Sequence, residues 1–149
     1  TIPLFNDLTK GDLTSLIKII HNRTFIAGEF IFHQGDPGIG LYIIRDGDVE
    51  IERENAQKVK NVLATFSKGD FFGELALVDG EKRSASAIAK SACKVSVIFK
   101  PDLDEFIEKY PKKGIKILAG ISNILALRLR KLNEDYFDLQ YNVLEEKGK

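Results

Sequence analysis

Two charged side chains, Glu74 and Arg83, stand on either side of a short apolar run, Leu75-Ala76-Leu77-Val78. Gly73 opens the run and Asp79-Gly80 closes it. If residues 74–78 form one helical turn, its first N–H groups have no intrahelical partner and favour an anion. Gly73 tolerates a positive φ and puts no side chain between the backbone and a ligand. Arg83, past the Asp79-Gly80 turn, can fold back to supply a forked, permanent positive charge. Glu74, in the first turn, is placed to accept a hydrogen bond from a sugar hydroxyl. The group that satisfies all three is a compact sugar phosphate. The alternative is an ion pair between Glu74 and Arg83 with no ligand.

These residues need a stiff support, and the surrounding pattern supplies one. Upstream, Thr9 caps a helix with Asp12 reaching back at the third helical position, a short-armed capping box. Leu13, Leu16, Ile17 and Ile20 then recur at helical spacing. From Phe25 the period changes to two. Phe30-Ile31-Phe32-His33 reads as a strand, Gln34 to Gly38 as a turn, and Leu41 to Ile44 as a buried strand. Asp46-Gly47-Asp48 is a hairpin signal. Val49 and Ile51 alternate with Glu50 and Glu52, which leaves one face of that strand wet. Asn55 to Lys58 is a polar hairpin tip, Val59 to Phe66 a strand, and Lys68-Gly69-Asp70 the turn into the Glu74 segment. Ala85 to Ala89 and Lys94 to Phe99 alternate again. Short strands separated by turn residues predict an antiparallel roll with Greek-key character. The segment holding Glu74 and Arg83 interrupts those strands, where a β-scaffold carries its sites.

Pro101 suits the first turn of a helix bearing Leu103, Phe106 and Ile107, and Pro111 ends it. A long helix follows over about residues 113–139. Its stripe is Leu118, Ile121, Leu125, Leu129, Leu132 and Tyr136, with Ile117, Ile124 and Leu127 elsewhere. A helix that is apolar on more than one side covers the roll with one face and offers the other to a partner. The pattern favours a homodimer through this helix over the alternative, a single helix that buries more of itself in its own domain. The polar residues beyond Tyr141 predict a frayed end.

The segment FFGELALVDGEKRSASA resembles, across its length, the phosphate-binding cassette of the cyclic-nucleotide-binding domain family, which includes catabolite activator proteins and protein kinase A regulatory subunits. The stretch AGEFIFHQGDPGIGLYIIRDGDVEI resembles the same family independently, with glycines at the corners of a β-roll. The resemblance implies that Glu74 binds the ribose 2′-hydroxyl and Arg83 the cyclic phosphate. Ser84 stands at a phosphate-contacting serine, and Ala85 at a small residue that offers its backbone N–H. Gly73, Leu75 and Ala76 complete the ligand-binding set. Lys82 departs from the family, in which many members have proline. In the activators the long helix hydrogen-bonds the adenine, and rough register places Leu132 and Asn133 there. Asn133 is thus a candidate base reader, against the commoner case of an exposed helical asparagine. Serine rather than threonine after the arginine leans the ligand to cAMP over cGMP. The activators carry a DNA-binding unit after this helix, which has no counterpart in this sequence.

The resulting expectation is one domain, mainly β with flanking helices. It comprises an N-terminal helical segment over 1–23 and a jelly-roll-like antiparallel β-roll over 24–100 with the cassette at 71–87. C-terminal helices over 101–141 and a polar tail over 142–149 complete it. The 149 residues suffice for one buried core. Lys and Arg together number 22, as do Asp and Glu, so no basic excess points to nucleic acid. Cys93 is the single cysteine and lies in an alternating pattern, which predicts a buried thiol. His21 and His33 lack metal-ligand spacing, so no metal is expected. Cupins run metal chemistry on similar rolls with clustered histidines and acids, and two isolated histidines do not match them. The expectation is a sensor and not an enzyme, with a cyclic nucleotide as ligand and no other cofactor. No apolar run is long enough for a membrane span and no signal peptide is visible, which fits the cytoplasm. The lack of methionine fits an excised domain. The competing expectation is a ligand-free β-roll that serves as an interaction or dimerisation module.

Overall fold

The computed structural model describes residues 5–74 and 81–147. Helix α1 (Lys10–Ile17) leads into eight strands: β1 (Ile20–Phe25), β2 (Phe30–Phe32), β3 (Gly40–Asp46), β4 (Val49–Glu54), β5 (Lys60–Phe66), β6 (Phe71–Phe72), β7 (Ser86–Ala89) and β8 (Cys93–Phe99). Two helices follow, α2 (Lys100–Lys109) and α3 (Pro111–Lys147). The strands form two four-stranded sheets, ordered β1-β8-β3-β6 and β2-β7-β4-β5. Every pairing is antiparallel. This is the β-roll with an N-terminal helix and a long C-terminal helix that the pattern predicts.

Local chemistry explains much of it. The Thr9 hydroxyl accepts from the Asp12 N–H at 3.1 Å, and the Asp12 carboxylate accepts from the Thr9 N–H at 3.0 Å, so the capping box forms. At the β3–β4 hairpin Gly47 has φ +94, and a Cβ there would lie 2.5 Å from the Ala92 carbonyl oxygen. No residue but glycine fits that corner.

Two apolar clusters fix the layers. Ile44, Val49, Phe72, Ala87, Ala89, Val95 and Val97 fill the space between the sheets. Leu16, Leu41, Ile43, Phe71, Ile98, Leu103, Phe106, Ile117 and Ile121 pack the helices onto the first sheet. Successive strand residues point to opposite faces, so Phe71 and Phe72 pin β6 from both sides. That strand delivers the chain to Gly73 and Glu74.

Three expectations are corrected. The N-terminal segment is not helical to residue 23. Helix α1 ends at Ile17, and Ile20, assigned above to the helical stripe, lies in β1 opposite Ile98. Pairing along all six residues of β1 with β8 outweighs the helical spacing of one apolar side chain. The long helix begins at Pro111, where a missing N–H costs nothing at a first helical position. It also continues through the expected tail to Lys147. Val143, Leu144, Glu145 and Glu146 contain no breaker, and the first one, Gly148, comes later.

Candidate functional site

Arg83 is held from both directions along its backbone. Its N–H donates to the Asp36 carbonyl and its own carbonyl accepts from the Gly35 N–H, each at 2.8 Å. Lys82 makes the adjoining isolated bridge to Pro37. This clamp turns the Arg83 side chain into the roll, where the residue is 8% exposed. Its Nη1 donates to the Gly73 carbonyl at 2.9 Å and its Nη2 to the Gly40 carbonyl at 2.7 Å. The guanidinium carbon lies 4.3 Å from the centre of the Phe32 ring and 5.6 Å from that of Tyr42.

No carboxylate pairs with this cation among the described residues. Its Nε is buried and has no hydrogen-bond acceptor. Burial pulls the Arg83 pKa down from its ordinary value, offset in part by Tyr42 and Glu74. Arginine nonetheless stays protonated in proteins. The result is a buried positive charge with donor capacity unspent, a condition that polar burial normally avoids.

Arg83 lines a cavity of about 330 Å³. Gly73, Glu74, Ser84 and Ala85 share its wall, and so do Phe32, Ile51, Ala64, Phe66 and Phe72. The lining thus combines charged groups, with Glu81 and Lys82 beside Glu74 and Arg83, and apolar side chains. The half-burial of Ile51, where a fully alternating strand was expected, comes from facing this space. Gly73 has φ +77, and a Cβ on it would lie 2.7 Å from Arg83 Nη1. Glycine is thus required here by conformation and by the approach of the guanidinium. The opposite face of the same sheet carries a depression lined by His33, Gln34, Glu52, Glu54, Lys58 and Ser86 among others. There acids and bases mix, and no cation is buried.

Five of the eight predicted site residues, Gly73, Glu74, Arg83, Ser84 and Ala85, meet at the cavity. Leu75 and Ala76, with the short helix proposed over 74–78, lie outside the described residues. Asn133 does not line this cavity. It sits on the exposed part of α3 and borders a separate depression with Glu134, Phe137 and Asp138.

Glu74 does not pair with Arg83. Its Oε1 accepts from Arg128 Nη1 at 3.2 Å, while Arg128 Nη2 donates to the Phe71 carbonyl at 2.6 Å. The Arg128 guanidinium carbon also lies 4.4 Å from the Phe71 ring centre and 5.0 Å from that of Phe66. Arg128 is a residue the sequence reading missed. The signal was present: it extends the core-facing row Ile117, Ile121, Ile124 at spacings of four and three. An arginine on the core side of an amphipathic helix needs a buried partner.

Comparison with known proteins agrees with this geometry. The family model described as "Cyclic nucleotide-binding domain" matches residues 22–110. The chain belongs to the cyclic nucleotide-binding domain family. A Rhodopseudomonas palustris protein whose name assigns it to potassium channels is 34% identical over 93% of this chain and 32% of its own length. The cyclic AMP receptor protein of Thermus thermophilus is 31% identical over 97% of this chain and 63% of its own length. The crystal structure of the Thermus thermophilus catabolite activator protein superposes with a TM-score of 0.80 at 30% identity, covering 93% of this chain and 63% of that one. This chain spans less than two thirds of each of these relatives. Among the described residues no helix is long and apolar enough to cross a membrane.

Proposed function

We propose that this domain is a sensor that binds a 3′,5′-cyclic nucleotide, cAMP in preference to cGMP, and passes binding on through α3. The observation that carries the reading is the buried guanidinium of Arg83, with an orphan Nε and no carboxylate paired to it among the described residues, beside a cavity partly lined by apolar side chains. A cyclic phosphodiester brings one negative charge, which offsets that cation, and acceptor oxygens for its unspent N–H groups. The ribose hydroxyl falls to Glu74, and the base packs on Ile51, Ala64 and Phe66. The resemblance assigns the phosphate to Ser84 and Ala85 as well. Ser84 after the arginine, and a relative named as a cyclic AMP receptor, support adenine. Donors, an acceptor and apolar surface around the cavity suit binding, and the reading includes no catalytic step and no cofactor other than the nucleotide.

The partner proposed for α3 is a second copy of the same chain. Leucines recur every seventh residue at Leu118, Leu125, Leu132 and Leu139, with Leu129 and Tyr136 between the later ones and Val143 beyond the last. That is the heptad spacing of a two-stranded coiled coil. Leu132 is 65% and Leu139 61% exposed in the single chain. A cytoplasmic setting follows from the ligand and from the free thiol of Cys93.

Calorimetric titration with cAMP and cGMP tests the ligand. The expected result is saturable binding of both, tighter for cAMP, with a matching rise in melting temperature. Absence of heat and of a melting shift with either nucleotide overturns the reading.

A further inference from the structure

Regular alternation along β2 would put Phe32 on the same face as Phe30. It does not stand there. Phe30 pairs with Ile88 but Phe32 pairs with Ala87, so one extra residue bulges the strand between them. The bulge turns the two rings to different sides of the sheet. Phe30 lines the outer depression beside Ile88, and Phe32 lines the cavity beside Arg83. Two further rings hold it in place. Tyr42 lies 5.5 Å from it, tilted by 51°, and Phe72 lies 5.9 Å from it, tilted by 46°. Tyr42 is itself stacked on Phe72, 5.3 Å away and within 8° of parallel. The Arg83 guanidinium carbon sits 4.3 Å from the centre of this fixed Phe32 ring.

From this arrangement we propose that Phe32 is a positioning residue, whose ring seats the Arg83 guanidinium in the cavity with donors left over for the ligand's phosphate. The proposal rests on the cyclic-nucleotide reading of the site. A buried cation needs compensation. A carboxylate would supply it, but would also occupy the donors and cancel the charge that draws an anion. An aromatic ring attracts the cation through its quadrupole, at the flat face of the guanidinium, and leaves the N–H groups at the edge alone. The Gly73 and Gly40 carbonyls take one donor from each terminal nitrogen. The Nε–H remains without a protein acceptor. Any guanidinium orientation away from the cavity reduces the binding-competent fraction, and apparent affinity falls with that fraction. Phe32 keeps the fraction high. Its effect is therefore exerted through the phosphate and not through the sugar.

The experiment replaces Phe32 with phenylalanines of increasing fluorination and measures affinity for cAMP and 2′-deoxy-cAMP by calorimetry. Fluorine draws electron density from the ring face and leaves the shape of the ring nearly unchanged, so the fold is kept. The expected result is a stepwise loss of affinity along the series, equal for the two nucleotides. Phe32→Leu keeps apolar bulk without the ring and should weaken both by about five- to tenfold. In an Arg83→Ala background the same Phe32→Leu change should alter affinity by less than about twofold. Affinity that ignores fluorination, or a Phe32→Leu loss that is the same in both backgrounds, shows that the ring only packs and overturns the proposal. A loss confined to cAMP puts the effect on the sugar and overturns it too. Should wild type bind neither nucleotide, the ligand reading itself is what fails. The Arg83 Nε–H proton resonance of the ligand-free protein then tests the seat alone. It must move when Phe32→Leu removes the ring current, and an unmoved resonance overturns the seat.

Discussion

Arg83 in the lining of the cavity and Arg128 on α3 are accommodated in opposite ways. Arg83 is buried, rests on two carbonyls and two rings, and has an orphan Nε with no carboxylate paired to it among the described residues. Arg128 is half-buried and rests on one carbonyl and two rings, but it also has Glu74. A cation whose charge is already matched is part of the architecture. On the proposed function, the cation whose charge is left over is the one that receives the ligand's anion, although both are arginines on aromatic faces.

That contrast predicts an order of effects. Arg83→Ala should remove the charge the ligand needs and weaken cAMP by about 2 kcal/mol or more, beyond tenfold in Kd. Calorimetry checks it, and a loss smaller than that of Arg128→Ala would invert the contrast. Glu74→Gln should come next. It removes the acceptor for the 2′-hydroxyl and the partner of Arg128 together, so cAMP weakens while 2′-deoxy-cAMP is nearly spared. A parallel loss for both nucleotides would take Glu74 away from the sugar.

The anchored and free parts of α3 sharpen the same contrast. Leu132→Glu with Leu139→Glu alters only residues beyond the fastening at Arg128. Sedimentation should show the double variant to be a monomer at concentrations at which wild type is a dimer. Titration of the separated monomer should still detect cAMP, because Arg83 and Glu74 are untouched. A wild type that sediments as a monomer would dispose of the coiled coil.

The smallest effect lies at the far end of the helix. Lys116 on α3 donates to the Asp12 carboxylate at 3.0 Å, tying α3 to α1. The Thr9 N–H, and after it Lys116, hold the Asp12 carboxyl below its ordinary pKa. A depressed folded value contributes stability above the unfolded value of about 3.9 that is lost as pH falls through the folded one. Asp12→Asn should therefore flatten the acid side of the melting curve between those two values and leave cAMP affinity at neutral pH unchanged. An unaltered acid limb would show that the pair contributes nothing.

Short-range chemistry is what the sequence made legible. The Thr9–Asp12 capping box and the Asp46-Gly47-Asp48 hairpin signal depend on residues within a few positions of each other, and so they can be read in order. Glu74 and Arg83 were recognisable as anchors because they stand nine positions apart in one segment. Strand β1 was not recognisable, because its conformation is settled by β8, which follows it far along the chain, from Phe25 opposite Cys93 to Ile20 opposite Ile98. Arg128 was not recognised either, since its partner Glu74 is 54 residues distant.

Residue types and local spacing determined that an acid, an arginine and a glycine would form one polar site on a β-roll. Only the folded structure decided which cation the acid would take. Charges pair by distance in space, and burial left Arg83 with carbonyls and rings while the packing of α3 brought Arg128 to Glu74.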